Sequence, residues 1–358
     1  MSAIETVDGA GAAGAAATGS GTTTALAAAL AVAPAGGIAP TGSIAPTAVQ
    51  APAAVLAVDL GGTAMKGAVV TEGGETLADL TRPTPASGVV EALVALFRDL
   101  RAAAADLGCR VVGAGVATPG MIDEERGIVR YASNLDWRDV PLRDALREAL
   151  DLPVALGHDV RAAGLAERLI GAARGTDDFV LVPIGTGVAA ALITAGGTVT
   201  GATGAAGEFG HIPVVIDGEP CTCGQRGCLE VYVSGAGLAR RYAAAGGDAL
   251  SSREIVARLG SDDIADRVWS RAVDVLAQGL NTLTLLLDPD VIVLGGGFSR
   301  AGDALLTPLT ARMSAGLAWR SRPRVVRSEL GGDAGRTGAA ILAFRAAGLG
   351  DVVAGWQA

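Results

Sequence analysis

The pattern that most constrains the fold of this 358-residue chain is a short apolar run that breaks at glycines and then resumes, and it occurs twice. Residues 54–60 run into Gly61 and Gly62 and resume at 66–70; residues 179–184 run into Gly185, Thr186 and Gly187 and resume at 188–194. Each reads as a β-hairpin, since short apolar runs bounded by turn residues suit strands and bare glycines suit the turn. Further strands are expected at 111–117, 154–156 and 291–294. Helical periods are expected at 89–107, 142–150, 160–173, 238–245, 252–259, 264–287, 301–317 and 339–347. Strands followed by helices throughout predict an α/β protein, and the twin hairpins predict two related domains facing a cleft.

Hydrophobic residues make up 50% of the chain but aromatics only 3%, so alanine and glycine carry much of the packing, as close helix-on-sheet layers require. A net charge of −9 with no basic stripe argues against a nucleic-acid groove, which needs clustered Lys and Arg. Residues 9–58 carry no charge and are rich in Ala, Gly, Thr and Pro, so 1–52 is expected to be a disordered leader. Its apolar stretch 25–35 is too short to span a bilayer, and no Lys or Arg precedes it as an export signal requires. A soluble cytoplasmic protein without membrane or nucleic-acid partners is the expectation.

Between 204 and 230 the chain places His211 ten residues ahead of Cys221, Cys223 and Cys228. Three thiols and an imidazole supply the four donors of a closed tetrahedral Zn²⁺ site, and a closed site is structural rather than catalytic. Gly224 and Gly227 let the loop fold back between the thiols. The alternative is three unrelated buried cysteines, in a chain whose only other one is Cys109. The metal would hold Glu208, His211 and Glu230 in place, and the second ring nitrogen of a ligating histidine can still bond a substrate hydroxyl.

Other glycines sit where phosphate chemistry needs bare backbone. Asp59, Gly61, Gly62, Thr63 and Lys66 form a strand turn whose N–H groups can approach phosphate oxygens, with Asp59 able to hold Mg²⁺ through water. Gly185, Thr186 and Gly187 offer the same on the other side of the cleft. Gly295, Gly296 and Gly297 follow an apolar strand; they can admit an adenine and ribose or serve as a plain turn. Residues 332–338, with Asp333 and Thr337, are expected to open the last helix near the same ligand. His158 and Asp159 lie where a strand ends and a helix begins, an edge typical of α/β active sites. Asp159 there can accept the proton of an attacking hydroxyl, or simply cap the helix.

The order of these segments resembles the ROK family of sugar kinases and repressors. The D-x-G-G-T-x-x-K turn, G-V-A-T-P-G-M-I-D up to Asp123, N-L-D-W from Asn134, Asp159, G-A-A-G-E-F-G-H ending at His211, and C-x-C-G-x-x-G-C-x-E ending at Glu230 cover roughly 53–346. The resemblance implies an actin- and hexokinase-like fold of two α/β domains. These would be 53–157, joined by the C-terminal helix at about 336–358, and 158–335 with the zinc loop at 211–228. It also implies ATP with Mg²⁺ in the cleft, transfer to the primary hydroxyl of a hexose, glucose above all, and a homodimer. By resemblance Asp159 is the base, and Asn134, Glu208, His211 and Glu230 contact the sugar. His211 completes the zinc site, and Gly61, Gly62, Thr63, Thr186 and Gly187 cradle phosphate.

One departure bears on the acceptor. The family usually reads N-D-x-N-A-A at the base, whereas this chain reads His158, Asp159, Val160, Arg161, Ala162, Ala163. The first Asn of that motif also touches sugar, so His158 becomes a substrate-binding candidate. An amino sugar such as kanosamine or N-acetylmannosamine, or a C7-cyclitol, joins glucose as an expected acceptor. A sugar-sensing repressor is disfavoured because no basic residue and no amphipathic helices precede Lys66, and a dead sugar-binding module because Asp159 and both phosphate turns remain. ATP is favoured over polyphosphate because a polyphosphate chain has no use for the glycines at 295–297.

Overall fold

A computed structural model of the chain describes residues 51–356; the expected leader lies outside them except for its last two residues. The first half runs β1 (Ala53–Leu60), β2 (Ala64–Thr71), β3 (Thr76–Pro83), α1 (Val89–Asp106), β4 (Arg110–Thr118), β5 (Met121–Asp123), β6 (Ile128–Ala132), β7 (Trp137–Val140), α2 (Leu142–Leu150) and β8 (Val154–His158). Its main sheet has the order β3-β2-β1-β4-β8, the first three strands antiparallel and the last three parallel. Strands β5, β6 and β7 form a small antiparallel sheet beside it.

The second half runs α3 (Asp159–Ile170), β9 (Phe179–Pro183), β10 (Ala191–Thr194), β11 (Gly197–Thr198), α4 (Leu229–Val233), α5 (Gly235–Ala244), α6 (Ser252–Ala257), α7 (Asp263–Leu287), β12 (Val291–Gly295), α8 (Asp303–Ala315), β13 (Arg324–Arg327) and α9 (Ala334–Ala346). Its sheet, β11-β10-β9-β12-β13, repeats the strand directions of the first: three antiparallel, three parallel. Both hairpins read from the sequence are therefore the antiparallel parts of two sheets of one topology.

Two helices bind the halves. Helix α3 leaves the first sheet but packs on the second, where a Cβ on Gly164 would lie 2.7 Å from the Ala191 methyl. Helix α9 leaves the second sheet but packs on the first, where a Cβ on Gly115 would lie 2.1 Å from the Ala339 carbonyl. The two helices cross with backbones in contact, because a Cβ on Gly338 would meet the Ala162 carbonyl at 2.1 Å.

That crossing corrects one expectation. Residues 332–338 do open the last helix, but α9 begins at Ala334 rather than at the expected 339 and contains both Gly335 and Gly338. Glycine is tolerated inside this helix because Gly335 faces the Asp59 carboxylate and Gly338 the α3 backbone, leaving no room for a side chain. The half-exposed edge strand β3, the meander β5–β7, β13 and the single turn α4 were not foreseen. Among the described residues no helix is long and apolar enough to cross a membrane.

Candidate active site

The register carries chemistry to one edge. Asp59 pairs with Lys66 on β2 and Ala117 on β4, while His158 pairs with Thr118, so Asp59 and His158 both stand at the carboxyl ends of parallel strands. Burial and the neighbouring Asp159 push the Asp59 carboxyl from its ordinary 3.8 to about 6, against the pull of Lys66 and Arg336. Burial likewise raises Asp159 to about 6, opposed by the Val160 N–H and by Arg161. Two carboxyl groups that resist ionising beside each other are hard oxygen donors suited to Mg²⁺, whose charge would relieve both.

His158, not Asp159, caps α3. Its Nδ1 accepts from the backbone N–H of Val160 at 3.2 Å and of Arg161 at 3.4 Å, and lies 3.2 Å from Asp159 Oδ1. An Nδ1 that accepts is unprotonated, so the ring's one donor is Nε2–H. Burial, then Arg161, hold the imidazole down at about 4, against Glu124.

The first glycine turn closes through Gly61 N–H to the Ala64 carbonyl at 2.9 Å, and Thr84 Oγ1 donates to the Gly61 carbonyl at 2.7 Å. Gly62 and Thr63 are exposed, and Asn134 lies over Gly62, where a Cβ would sit 2.9 Å from Nδ2. Lys66 Nζ reaches the Gly332 carbonyl at 3.5 Å. In the second turn Glu230 Oε2 accepts the Val188 N–H at 2.8 Å and faces Gly187. Glu230 thus fixes this turn as well as flanking the cysteines.

Two cavities adjoin the turns. One, of about 620 Å³, is lined by Gly185, Thr186, Ser252, Arg253, Gly297 and Arg300 among others. The second, of about 730 Å³, is lined by Gly296, Gly297, Arg300, Arg327 and Ser328 together with Gly332. Gly295 lines neither: it is buried in β12, paired with Pro183. Gly296, at φ 74°, sits where a Cβ would be 2.3 Å from the Ile184 carbonyl, so its glycine serves packing.

Glu208 and His211 are set by two glycines. A Cβ on Gly207 would fall 2.0 Å from the Ala190 carbonyl and one on Gly210 2.2 Å from the Val188 carbonyl, pressing the segment against the strand after the second turn. Glu208 is left exposed, and His211 turns Nδ1 towards Cys221 Sγ at 3.8 Å. Cys223 and Cys228 Sγ lie 3.7 Å apart, and all four donor atoms fall within 4.8 Å of one another. Tetrahedral Zn²⁺ with Zn–S near 2.3 Å spaces its sulfurs by about 3.8 Å, so the donor set fits that metal. Burial and the two neighbouring thiols push Cys228 up to about 12, a crowding that a cation would reverse. Nε2 of His211 lies on the ring's other edge.

Residues not anticipated surround Asp159. Arg161, 5% exposed, donates through Nε and Nη2 to Glu124 Oε1 at 3.1 and 2.9 Å and through Nη1 to the Gly204 carbonyl at 3.1 Å. Glu124 is held by its turn, whose carbonyls at 124 and 125 accept from Arg143 at 3.2 and 3.0 Å. The signal was present in Arg161, which replaces the family's second Asn, but its partner lies 37 residues away.

The ROK family model matches residues 55–346. The chain belongs to the ROK family. It is similar to the glucokinase of Streptomyces coelicolor, 33% identical over 313 residues, spanning 80% of this chain and 96% of that one. The N-acetyl-D-glucosamine kinase of Shigella boydii is 33% identical over 303 residues, 79% of this chain and 97% of that one. The crystal structure of a ROK family glucokinase from Streptomyces griseus, in complex with glucose and AMPPNP, aligns with a TM-score of 0.71 at 33% identity, covering 82% of this chain and 99% of that chain. The repeated sheets are accordingly those of the actin- and hexokinase-like fold.

Proposed function

We propose that this ROK protein is an ATP-dependent sugar kinase that phosphorylates the primary hydroxyl of a hexose, glucose or a close analogue, with Asp159 as the base. The observation that carries the reading is Asp159 itself: the first residue of α3, at the carboxyl end of β8, with its carboxyl raised to about 6 beside Asp59 and the glycine turn. A carboxylate so placed is basic enough to take a hydroxyl proton at neutral pH while remaining ionised. ATP with Mg²⁺ would supply the γ-phosphoryl group. Asp59 is suited to hold the metal through water, and the N–H groups at Gly61, Gly62, Thr63, Thr186 and Gly187 are suited to the phosphates. The cavity at Gly185 and Gly297 is the candidate nucleoside pocket.

Asn134, His158, Glu208, His211 and Glu230 are the proposed acceptor contacts, the last three steadied by the loop whose cysteines and His211 would hold Zn²⁺. Such a loop needs reduced thiols, which favours a cytoplasmic setting. His158 favours a second reading, in which the acceptor is an amino sugar or cyclitol: one Nε2–H stands where an Asn amide would offer two donors. A coupled ADP-release assay over hexoses, amino sugars and cyclitols tests both. Release with glucose above all others supports the first, release with an amino sugar or cyclitol the second, and release with none removes the kinase assignment.

A further inference from the structure

Glu167, two turns into α3, is a fully buried carboxylate with no Lys or Arg paired to it among the described residues. A buried carboxyl group with no basic partner needs other donors to replace its water. Here there are three: Oε2 accepts the Ala172 N–H at 2.8 Å, while Oε1 accepts the Leu330 N–H at 3.2 Å and the Ser328 hydroxyl. The same Ser328 oxygen accepts the Gly331 N–H at 2.7 Å, and Gly331 has φ 54°. One carboxylate, directly and through one hydroxyl, therefore fixes the backbone from 328 to 331.

That segment is a wall of the 730 Å³ cavity shared with Gly296, Gly297, Arg300 and Arg327, and its next residue, Gly332, receives Lys66. Asp159 opens the same helix eight residues earlier, about 12 Å along its axis. A single rigid helix thus carries the proposed base at one end and grips this cavity wall further along.

We propose that Glu167 is a positioning residue for phosphoryl transfer: through Ser328 and Leu330 it holds the wall that receives Lys66, in the cavity that shares Gly297 and Arg300 with the candidate nucleoside pocket, at a fixed distance from Asp159. This rests on the kinase reading of the cleft. It assigns to Glu167 no contact with sugar or nucleotide.

The test combines Glu167→Gln, Ser328→Ala and the double variant. ATP affinity is measured by equilibrium binding without acceptor, amide exchange is followed at Leu330 and Gly331, and KM for the sugar is measured separately. Glu167→Gln places an amide donor against an existing donor, so ATP binding should weaken by about tenfold and exchange at both amides should quicken by a similar factor, while sugar KM stays within about twofold. Ser328→Ala leaves the carboxylate and two of its donors in place, so it remains informative if Glu167→Gln does not fold; it should weaken ATP binding and speed exchange at Gly331. If both act through one bond, the double variant is no worse than Glu167→Gln. Additive effects, a change confined to sugar KM, or unaltered exchange would overturn the proposal. Wild-type protein that binds ATP yet transfers nothing to any acceptor would fail the kinase reading alone.

Discussion

His158 Nδ1 accepts the backbone N–H of Val160 at 3.2 Å, so the residue beside the proposed base caps the helix that this base opens. An Asn can cap a helix equally well. His158→Asn should therefore leave the melting temperature nearly unchanged while exchanging one ring donor for an amide nearer the backbone. The ratio of kcat/KM values should move towards glucose by about tenfold, the equivalent of one hydrogen bond. An equal loss of rate on every sugar would mean that the ring only caps.

Asp159→Asn should keep the fold and the acceptor contacts but lower kcat by on the order of 10² to 10⁴, the usual contribution of a placed proton acceptor. Sugar affinity should hardly move. Turnover close to wild type would deny Asp159 the role of base.

The raised carboxyls also set a pH dependence. With Asp159 at about 6 and His158 at about 4, kcat/KM should rise with pH along a limb centred near 6, without a histidine step above it. Stability runs the other way. Asp159 binds its proton more tightly folded than unfolded, so its contribution is fully present below 3.8 and is lost as pH rises through about 6. Its side chain is 28% exposed, so the loss at pH 8 is on the order of 1–3 kcal/mol. Asp159→Asn should thus melt higher than wild type at pH 8 and alongside it near pH 4; thermal scans at both pH values would show this, and a lower melting point at pH 8 would contradict it.

Metal analysis should find about one Zn²⁺ per chain, as the Cys₃His donor set requires. Cys223→Ser should lower thermal stability and sugar binding together if the loop that would hold the metal steadies Glu208 and Glu230 as proposed, and added Mg²⁺ should not restore activity. Protein without zinc whose melting temperature and KM are unchanged would defeat this.

Local pattern carried much of the fold. The hairpins at 54–70 and 179–194 were legible because apolar strand residues meet glycines that nothing else explains, and α2 was expected at its observed bounds, Leu142–Leu150, from its strongly one-sided apolar spacing. The meander β5–β7 was not legible: its strands are three to five residues long, and exposed polar side chains obscure their alternation. The start of α9 was hidden because Gly335 and Gly338 look like a turn until Asp59 and α3 are in place against them. In the candidate site, the chemistry-bearing types at 59, 159, 211 and the cysteines stood out alone. Arg161 showed only as a departure from the family motif, and Glu124 and Glu167 gave no such sign, since what marks them is a partner distant in sequence and, for Glu167, burial.

The exchange of helices between the two sheets bears on how the chain is made. One face of the first sheet, with Val55, Ala57, Ala68 and Val70, is covered by α9 through Ala339, Ala340, Ile341 and Phe344. Its own strands are complete at His158, yet the cover leaves the ribosome only after some 190 further residues. At ordinary translation speeds that apolar face stays bare for on the order of tens of seconds, a window in which a nascent chain would engage a chaperone or a sister chain. Emergence of α9, rather than completion of its strands, is what lets the first half finish folding.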